Sequence, residues 1–207
     1  MQRLQGTTVA VIGLGASGVA AARLALAKGG DVYVSDSSAD AATTARGAQL
    51  RAAGASVDVG GHDIRRVAGA GLVVVSPGVP PSAPVLRELA ERGVRWITEP
   101  ELAVRFFSAP LIAVTGTNGK TTTTLLVAHL LEAAGLRALA GGNVGGGLAP
   151  AASDLALLDE PPDWYVLEMS SFQLAGIESF RPDIGVVTNL SPDHLDRYAS
   201  IEEYYAD

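Results

Sequence analysis

The residues best suited to chemistry lie in Ala113-Val114-Thr115-Gly116-Thr117-Asn118-Gly119-Lys120-Thr121-Thr122, a β-branched run that enters a loop ending Gly-Lys-Thr. Successive backbone N–H groups in such a loop make a nest for phosphate oxygens. Lys120 can neutralise the β- and γ-phosphates of ATP, and the Thr121 hydroxyl can ligate Mg²⁺. Thr115, Gly116, Thr117, Asn118, Gly119, Lys120, Thr121 and Thr122 are therefore the expected ATP-binding residues. The run departs from the general pattern G-x-x-x-x-G-K-[ST], because Val114 stands where the first glycine belongs. A chance Gly-Lys-Thr is the competing reading. Against it, Lys120 is one of only two lysines, the other being Lys28, in a chain that otherwise uses arginine.

A second glycine loop precedes it. Gly13-Leu14-Gly15-Ala16-Ser17-Gly18 fits G-x-G-x-x-G, directly after the apolar run Val9-Ala10-Val11-Ile12. Glycine allows the tight turn and the close approach of a diphosphate, and a following helix N-terminus favours its charge. Asp36 ends the next apolar run, where a carboxylate can accept hydrogen bonds from sugar hydroxyls. Gly15, Ala16, Ser17, Asp36 and Ser37 are the candidate ligand contacts, with Gly78 of Ser76-Pro77-Gly78-Val79-Pro80 at a further strand end. The motif alone does not separate NAD from a UDP-sugar, since both offer a diphosphate and a ribose. A glycine turn used only for packing is the bland alternative.

These loops need strands and helices to carry them. Short β-branched runs alternate with Ala/Leu-rich stretches, the pattern of an α/β protein with parallel sheets. Strands are predicted near 7–12, 31–35, 72–75 and 94–97, a weaker one near 55–59, and helices near 16–28, 39–53, 82–92 and 99–107. After Ser108-Ala109-Pro110 a second series opens with a strand at 111–115 and a helix from about 119 to 134. Strands follow near 137–140, 164–168 and 184–188, with a glycine-rich loop at 141–147. The chain ends inside a helix predicted over 200–207, as a domain cut short would. The expected organisation is a Rossmann-like domain over 1–108 and an incomplete P-loop ATPase-type α/β domain over 109–207.

Of the 207 residues, 48% are hydrophobic, so a packed core is expected. Cysteine is absent, which excludes disulfides and thiolate metal sites. The charge of −7 is uneven: through residue 152 there are thirteen Arg/Lys against ten Asp/Glu, and from 153 onward two against twelve. A general nucleic-acid binder needs a basic face and is excluded. No signal peptide and no apolar stretch long enough to span a bilayer is seen, so a cytoplasmic protein without membrane contact is expected. His62 and His129 carry no motif and are expected to be structural, and Trp96 and Trp164 to pack.

Further stretches follow the Gly-Lys-Thr loop in order: Gly142-Asn143-Val144-Gly145, then Glu168-Met169-Ser170-Ser171-Phe172-Gln173-Leu174, then Thr188-Asn189-Leu190-Ser191-Pro192-Asp193-His194-Leu195-Asp196-Arg197. With Gly116–Thr121, this ordered set resembles the Mur ligase and folylpolyglutamate synthase superfamily, whose ATP loop lacks the first glycine. The resemblance covers nearly the whole chain. The Gly13–Gly18 loop with Ser76-Pro77-Gly78 resembles the branch that adds D-glutamate to UDP-N-acetylmuramoyl-L-alanine.

The resemblance implies ATP-dependent amide-bond formation through an acyl phosphate. It implies Lys120, Glu168 and His194 as catalytic residues, and Thr121, Glu168 and His194 as Mg²⁺ ligands. Asn143, Ser170, Gln173 and His194 are implied as substrate contacts, and Asp193 and Asp196 as capping or supporting residues. Expected partners are UDP-N-acetylmuramoyl-L-alanine and D-glutamate, in a monomer. The family's modified lysine would fall just past Asp207, and no lysine follows Lys120, so this chain alone is expected not to ligate. Another Mur ligase, a folate ligase, an NAD-linked oxidoreductase and a non-catalytic binding module are the alternatives. The oxidoreductase reading explains nothing after residue 110.

Overall fold

The computed structural model describes residues 4–145, 148–194, 197–198 and 200–207. Gly146, Gly147, Leu195 and Asp196, which the sequence placed in motifs, lie outside the described residues.

The first unit is a five-stranded parallel sheet. Its strands are β1 (Thr8–Ile12), β2 (Asp31–Asp36), β3 (Ser56–Val59), β4 (Leu72–Val75) and β5 (Ile97–Thr98), in the order β3-β2-β1-β4-β5. The helices are α1 (Ala16–Ala27), α2 (Ala41–Ala52), α3 (Ile64–Ala68), α4 (Pro84–Glu91) and α5 (Glu99–Val104). Parallel strands need crossovers, and helices then cover both faces, so β1 and β4 are almost continuously apolar and buried. The order reverses between β1 and β4. There the carboxyl ends of the strands open a crevice, the place where ligands of doubly wound sheets bind.

The second unit is a four-stranded parallel sheet of β6 (Leu111–Thr115), β7 (Ala138–Gly142), β8 (Trp164–Glu168) and β9 (Ile184–Val187), in the order β7-β8-β6-β9. Helices α6 (Lys120–Ala133), α7 (Ala152–Leu155), α8 (Ser171–Leu174) and α9 (Ile201–Ala206) accompany it. The loop strand β6 lies between β8 and β9, so the ends of both neighbours reach the Gly-Lys-Thr turn. β9 is an edge strand, and Ile184 and Val187 on it are exposed.

The observed elements differ from the expected ones in two ways. β5 is only two residues, not 94–97: Gly93 and Val94 donate to Ala90 and Leu89 and so close the end of α4. The short helices α3, α7 and α8 were not expected. Each spans four or five residues, too few for a 3.6-residue apolar period to show.

The two units share part of their core. A single buried cluster joins Val9, Leu24 and Val74 of the first to Leu111, Leu155, Tyr165 and Leu167 of the second, with Leu102 between them. Phe107 stacks on Tyr165 with ring centroids 3.7 Å apart. The segment Thr98–Glu101 then bonds across in three places. Thr98 donates through its amide to Gly176 O (3.0 Å) and through its hydroxyl to Gln173 O (2.7 Å). Glu99 accepts from Ser153 N near the start of α7 (2.5 Å). Glu101, wholly buried, accepts from the amides of Glu178, Ser179 and Phe180, from the Ser179 hydroxyl and from Arg105.

Candidate active site

The first glycine loop is built as its motif requires. Gly13 adopts a φ of +101°, and a Cβ at Gly18 would land on the Gly13 carbonyl. Asp36 holds the loop from the neighbouring strand. One carboxylate oxygen accepts from Leu14 N (2.6 Å) and the other from Ser38 N (2.8 Å). A carboxylate offers about four acceptor positions, so sugar hydroxyls can still reach it. Gly13, Leu14, Gly15, Asp36, Ser37, Ser76 and Gly78 line a cleft of about 600 Å³ at the β1/β4 crevice. Ala16 and Ser17 open α1 beside it.

Sequence reasoning missed the two basic residues of this cleft, His62 and Arg46. His62 lines it, with Nδ1 2.8 Å from the Ser35 hydroxyl. Burial holds the imidazole below the ordinary histidine range, against an opposing pull from Asp36, so it is neutral near pH 7. Arg46 of α2 also lines the cleft. Neither sits in a motif. The available signal was position: His62 follows Gly60-Gly61, just past the carboxyl end of β3.

The second loop turns on Gly116 (φ +128°) and Gly119 (φ +83°), both in the region that favours glycine. Lys120 Nζ folds back onto the carbonyls of Gly116 and Thr117, 2.9 Å from each. It thereby holds a positive charge over the loop's own mouth. The expected nest narrows, because two amides are already bonded: Thr117 N to Asn189 O (2.9 Å) and Asn118 N to Asn189 Oδ1 (3.1 Å). The Thr117 hydroxyl also points inward, to Ser191 and the Tyr204 hydroxyl (2.9 Å). Thr115 lends its carbonyl to Thr188. The amides from Gly119 through Thr122 remain at the start of α6 to face an anion.

Glu168 ends β8 beside this loop and is buried. Its Oε2 accepts from the Thr121 hydroxyl (2.7 Å), and its Oε1 accepts from Asn143 Nδ2 (3.0 Å). Gly142 makes the latter possible: with φ +90°, it lies where a Cβ would strike the Glu168 backbone. Asn143 N also donates to Glu168 O (2.9 Å). Thr121, Asn143 and Glu168 thus meet beside the loop that carries Lys120.

His194 stands in a different setting. It is the one described non-glycine residue with positive φ (54°), and such conformations persist where the surroundings enforce them. Its ring lies 4.9 Å from Phe172 and 6.3 Å from Tyr204, and Nε2 is 3.7 Å from Asp193 Oδ2. Tyr204 links it to the loop through Thr117. Among the described residues no three His, Cys, Asp or Glu side chains gather as a ready metal cluster.

Ser170 and Gln173, expected as substrate contacts, are buried and cap α8. Gln173 Oε1 accepts from Ser170 N while Ser170 Oγ accepts from Gln173 N. This capping box satisfies two helix-end donors. Asp193 accepts from His194 N (2.8 Å). Arg197 stacks on Phe172 at 3.8 Å and donates to the carbonyls of Pro77 and Val79 in the first unit.

The donors fit a nucleotide and its ion. Thr121 Oγ1 and Glu168 Oε2 are hard oxygen donors of the kind Mg²⁺ takes, and Lys120 with the α6 amides suits phosphate.

Comparison with known proteins identifies the family. A model of the Mur ligase MurD-like N-terminal domain matches residues 7–98, and a model of the Mur ligase middle domain matches 114–207. The UDP-N-acetylmuramoylalanine--D-glutamate ligase of Anaeromyxobacter dehalogenans is 48% identical over 206 residues, covering 98% of this chain and 43% of that protein. The enzyme of the same name from Desulfatibacillum aliphaticivorans is 44% identical over 203 residues, covering 98% of this chain and 44% of its own length. The chain therefore spans less than half the length of these curated relatives. Among solved structures, a UDP-N-acetylmuramate:L-alanyl-gamma-D-glutamyl-meso-diaminopimelate ligase from Neisseria meningitides has the same fold. Its TM-score is 0.59 at 22% identity, covering 97% of this chain and 65% of that one. The chain belongs to the Mur ligase family, of which it carries the N-terminal domain and middle-domain sequence.

Proposed function

We propose that this chain is the substrate- and ATP-binding portion of a ligase that adds D-glutamate to UDP-N-acetylmuramoyl-L-alanine in peptidoglycan precursor synthesis. The observation that carries the reading is the meeting of Thr121, Asn143 and Glu168 at the mouth of the Lys120 loop. The names of the 42–48% identical relatives supply the substrates.

In this reading the first unit, to about residue 108, holds the UDP portion against Gly15, Ala16, Ser17, Asp36, Ser37 and Gly78. The second unit, from about 109, holds ATP on Gly119 through Thr122. Lys120 leaves the loop carbonyls to neutralise the phosphates. A substrate carboxylate oxygen attacks the γ-phosphorus and ADP departs. The amine of D-glutamate then attacks the acyl carbon, phosphate leaves, and the amine gives up a proton. Phosphoryl transfer of this kind asks for positioning and charge neutralisation more than for a protein nucleophile. Glu168 and Thr121 would hold Mg²⁺, which spreads phosphate charge when bound. His194, with Asp193 behind it, would serve a second ion, and Asn143 would orient Glu168 and substrate.

ATP and a UDP-linked precursor place such an enzyme in the cytoplasm, and among the described residues no helix is long and apolar enough to cross a membrane. The 207-residue chain by itself is proposed not to ligate, since its relatives are more than twice as long. The test is ADP release by the full-length parent, given UDP-N-acetylmuramoyl-L-alanine and a panel of amino acids. Release with D-glutamate alone is expected. Release with a different amino acid would overturn the specificity, and none with any would overturn the reaction.

A further inference from the structure

The Thr188-Asn189 pair at the end of β9 grips the tip of the second loop. The Thr188 hydroxyl donates to Asn118 O (2.7 Å), and so does Asn189 Nδ2 (2.8 Å). Asn189 Oδ1 accepts from Asn118 N (3.1 Å), so one side-chain amide bonds both backbone polar groups of residue 118. The backbone joins in: Asn189 O accepts from Thr117 N, and Thr188 N donates to Thr115 O. Gly116 is shaped to receive the pair, because a Cβ there would collide with the Thr188 hydroxyl and lie 2.8 Å from Asn189 O.

The consequence falls on the next amide. In a trans peptide the carbonyl and the following N–H point in opposite directions, and the described chain has no cis bond. Fixing Asn118 O toward β9 therefore aims Gly119 N–H the other way. Among the described residues that N–H has no partner. Gly119 is also where this peptide turns most easily, since glycine accepts either sign of φ. A flip would turn the Asn118 carbonyl, with its negative end, toward the phosphates.

We infer that Thr188 and Asn189 are positioning residues for nucleotide binding: they hold the Asn118–Gly119 peptide so that Gly119 N–H faces the phosphates. The inference rests on the ATP reading above, and it extends it to two residues that make no phosphate contact.

The test compares Asn189→Ala, Thr188→Val and Thr188→Ser in the full chain. Calorimetry with a non-hydrolysable ATP analogue and Mg²⁺ gives affinity. Amide hydrogen exchange at Asn118 reports the brace, and UDP-N-acetylmuramoyl-L-alanine titration serves as control. Expected are a loss of about tenfold in nucleotide affinity for Asn189→Ala and a few-fold loss for Thr188→Val, each in the range of one or two hydrogen bonds. Thr188→Ser restores wild-type affinity, exchange at Asn118 accelerates in Asn189→Ala, and the UDP substrate binds unchanged. If Asn189→Ala does not fold, the Val and Ser pair at 188 decides alone. Wild-type nucleotide affinity in both Asn189→Ala and Thr188→Val overturns the inference, as does unchanged exchange at Asn118. Failure of the wild-type chain to bind nucleotide at all overturns the ATP reading instead, and Asn118 exchange still judges the brace.

Discussion

The two glycine loops share a plan, strand–turn–helix at the carboxyl edge of a parallel sheet, yet they are held in opposite ways. The Gly13–Gly18 loop is braced by an acid, Asp36, taking the Leu14 amide. It offers no cation of its own, while Arg46 of α2 lines the same cleft. The Gly116–Thr121 loop is braced at its tip by neutral groups, Thr188 and Asn189, meets the Glu168 carboxylate at Thr121, and carries Lys120 inside it. In the reading proposed above, the second loop meets a triphosphate, which a carboxylate at its tip would repel. The first meets a diphosphate and a ribose, whose hydroxyls can donate to a carboxylate. Similar backbones thus differ in the charge of the side chains that fix them.

The strongest way to disturb this comparison is to cut the link that sets one loop against the other. Glu101→Ala removes the acceptor of three amides, a hydroxyl and Arg105. Stranding these donors should cost about 3 kcal/mol or more, read by urea denaturation. Burial pushes the Glu101 carboxyl up, but the hydrogen bonds from Ser179 and the 178–180 amides outweigh it and hold its pKa low. Its contribution is therefore present above the unfolded carboxylate range and fades as pH falls through the lowered value.

Glu99 behaves in the opposite sense. It is fully buried, one oxygen has no partner among the described residues, and desolvation raises its pKa from 4.5 to about 7. Its protonated form fits the fold, so stability is full below pH 4.5 and declines as pH rises toward about 7. The shift corresponds to about 3 kcal/mol at 1.36 kcal/mol per unit, and side-chain rearrangement would lower that. Glu99→Gln should remove this slope, making the variant more stable than wild type at pH 8 and nearly equal at pH 4.5. Denaturation midpoints at the two pH values check it.

Within the loops the effects are local. Lys120→Ala should weaken nucleotide binding by about 100-fold, in the range of a lost charge-assisted contact, and leave UDP-substrate affinity unchanged. Asp36→Ala should do the reverse more mildly. About tenfold weaker UDP-substrate binding is expected from a loosened Leu14 turn and a lost sugar acceptor. Equal effects of either variant on both ligands would erase the distinction between the loops.

The strands and long helices were legible in the sequence because their apolar periods run for several turns. So were both loops, since a glycine at positive φ leaves its mark in residue type. What joins the units was not legible. Thr98, Glu99 and Glu101 fall at the start of the helix predicted near 99–107, and only the fold shows that their partners lie at 153, 173, 176 and 178–180. His62 was invisible for the same reason, as its partner Ser35 is twenty-seven residues away. Ser170 and Gln173 stood inside a motif and were read as substrate contacts, and the motif gave no sign that the pair also caps α8.

The central claim is that two loops in one chain bind two different ligands at once. Calorimetric titration of the full chain with UDP-N-acetylmuramoyl-L-alanine, then with a non-hydrolysable ATP analogue and Mg²⁺, tests it most directly. The account predicts one site for each, with neither displacing the other and Lys120→Ala silencing only the second. Displacement of the UDP compound by the nucleotide, or by NADH, would contradict it.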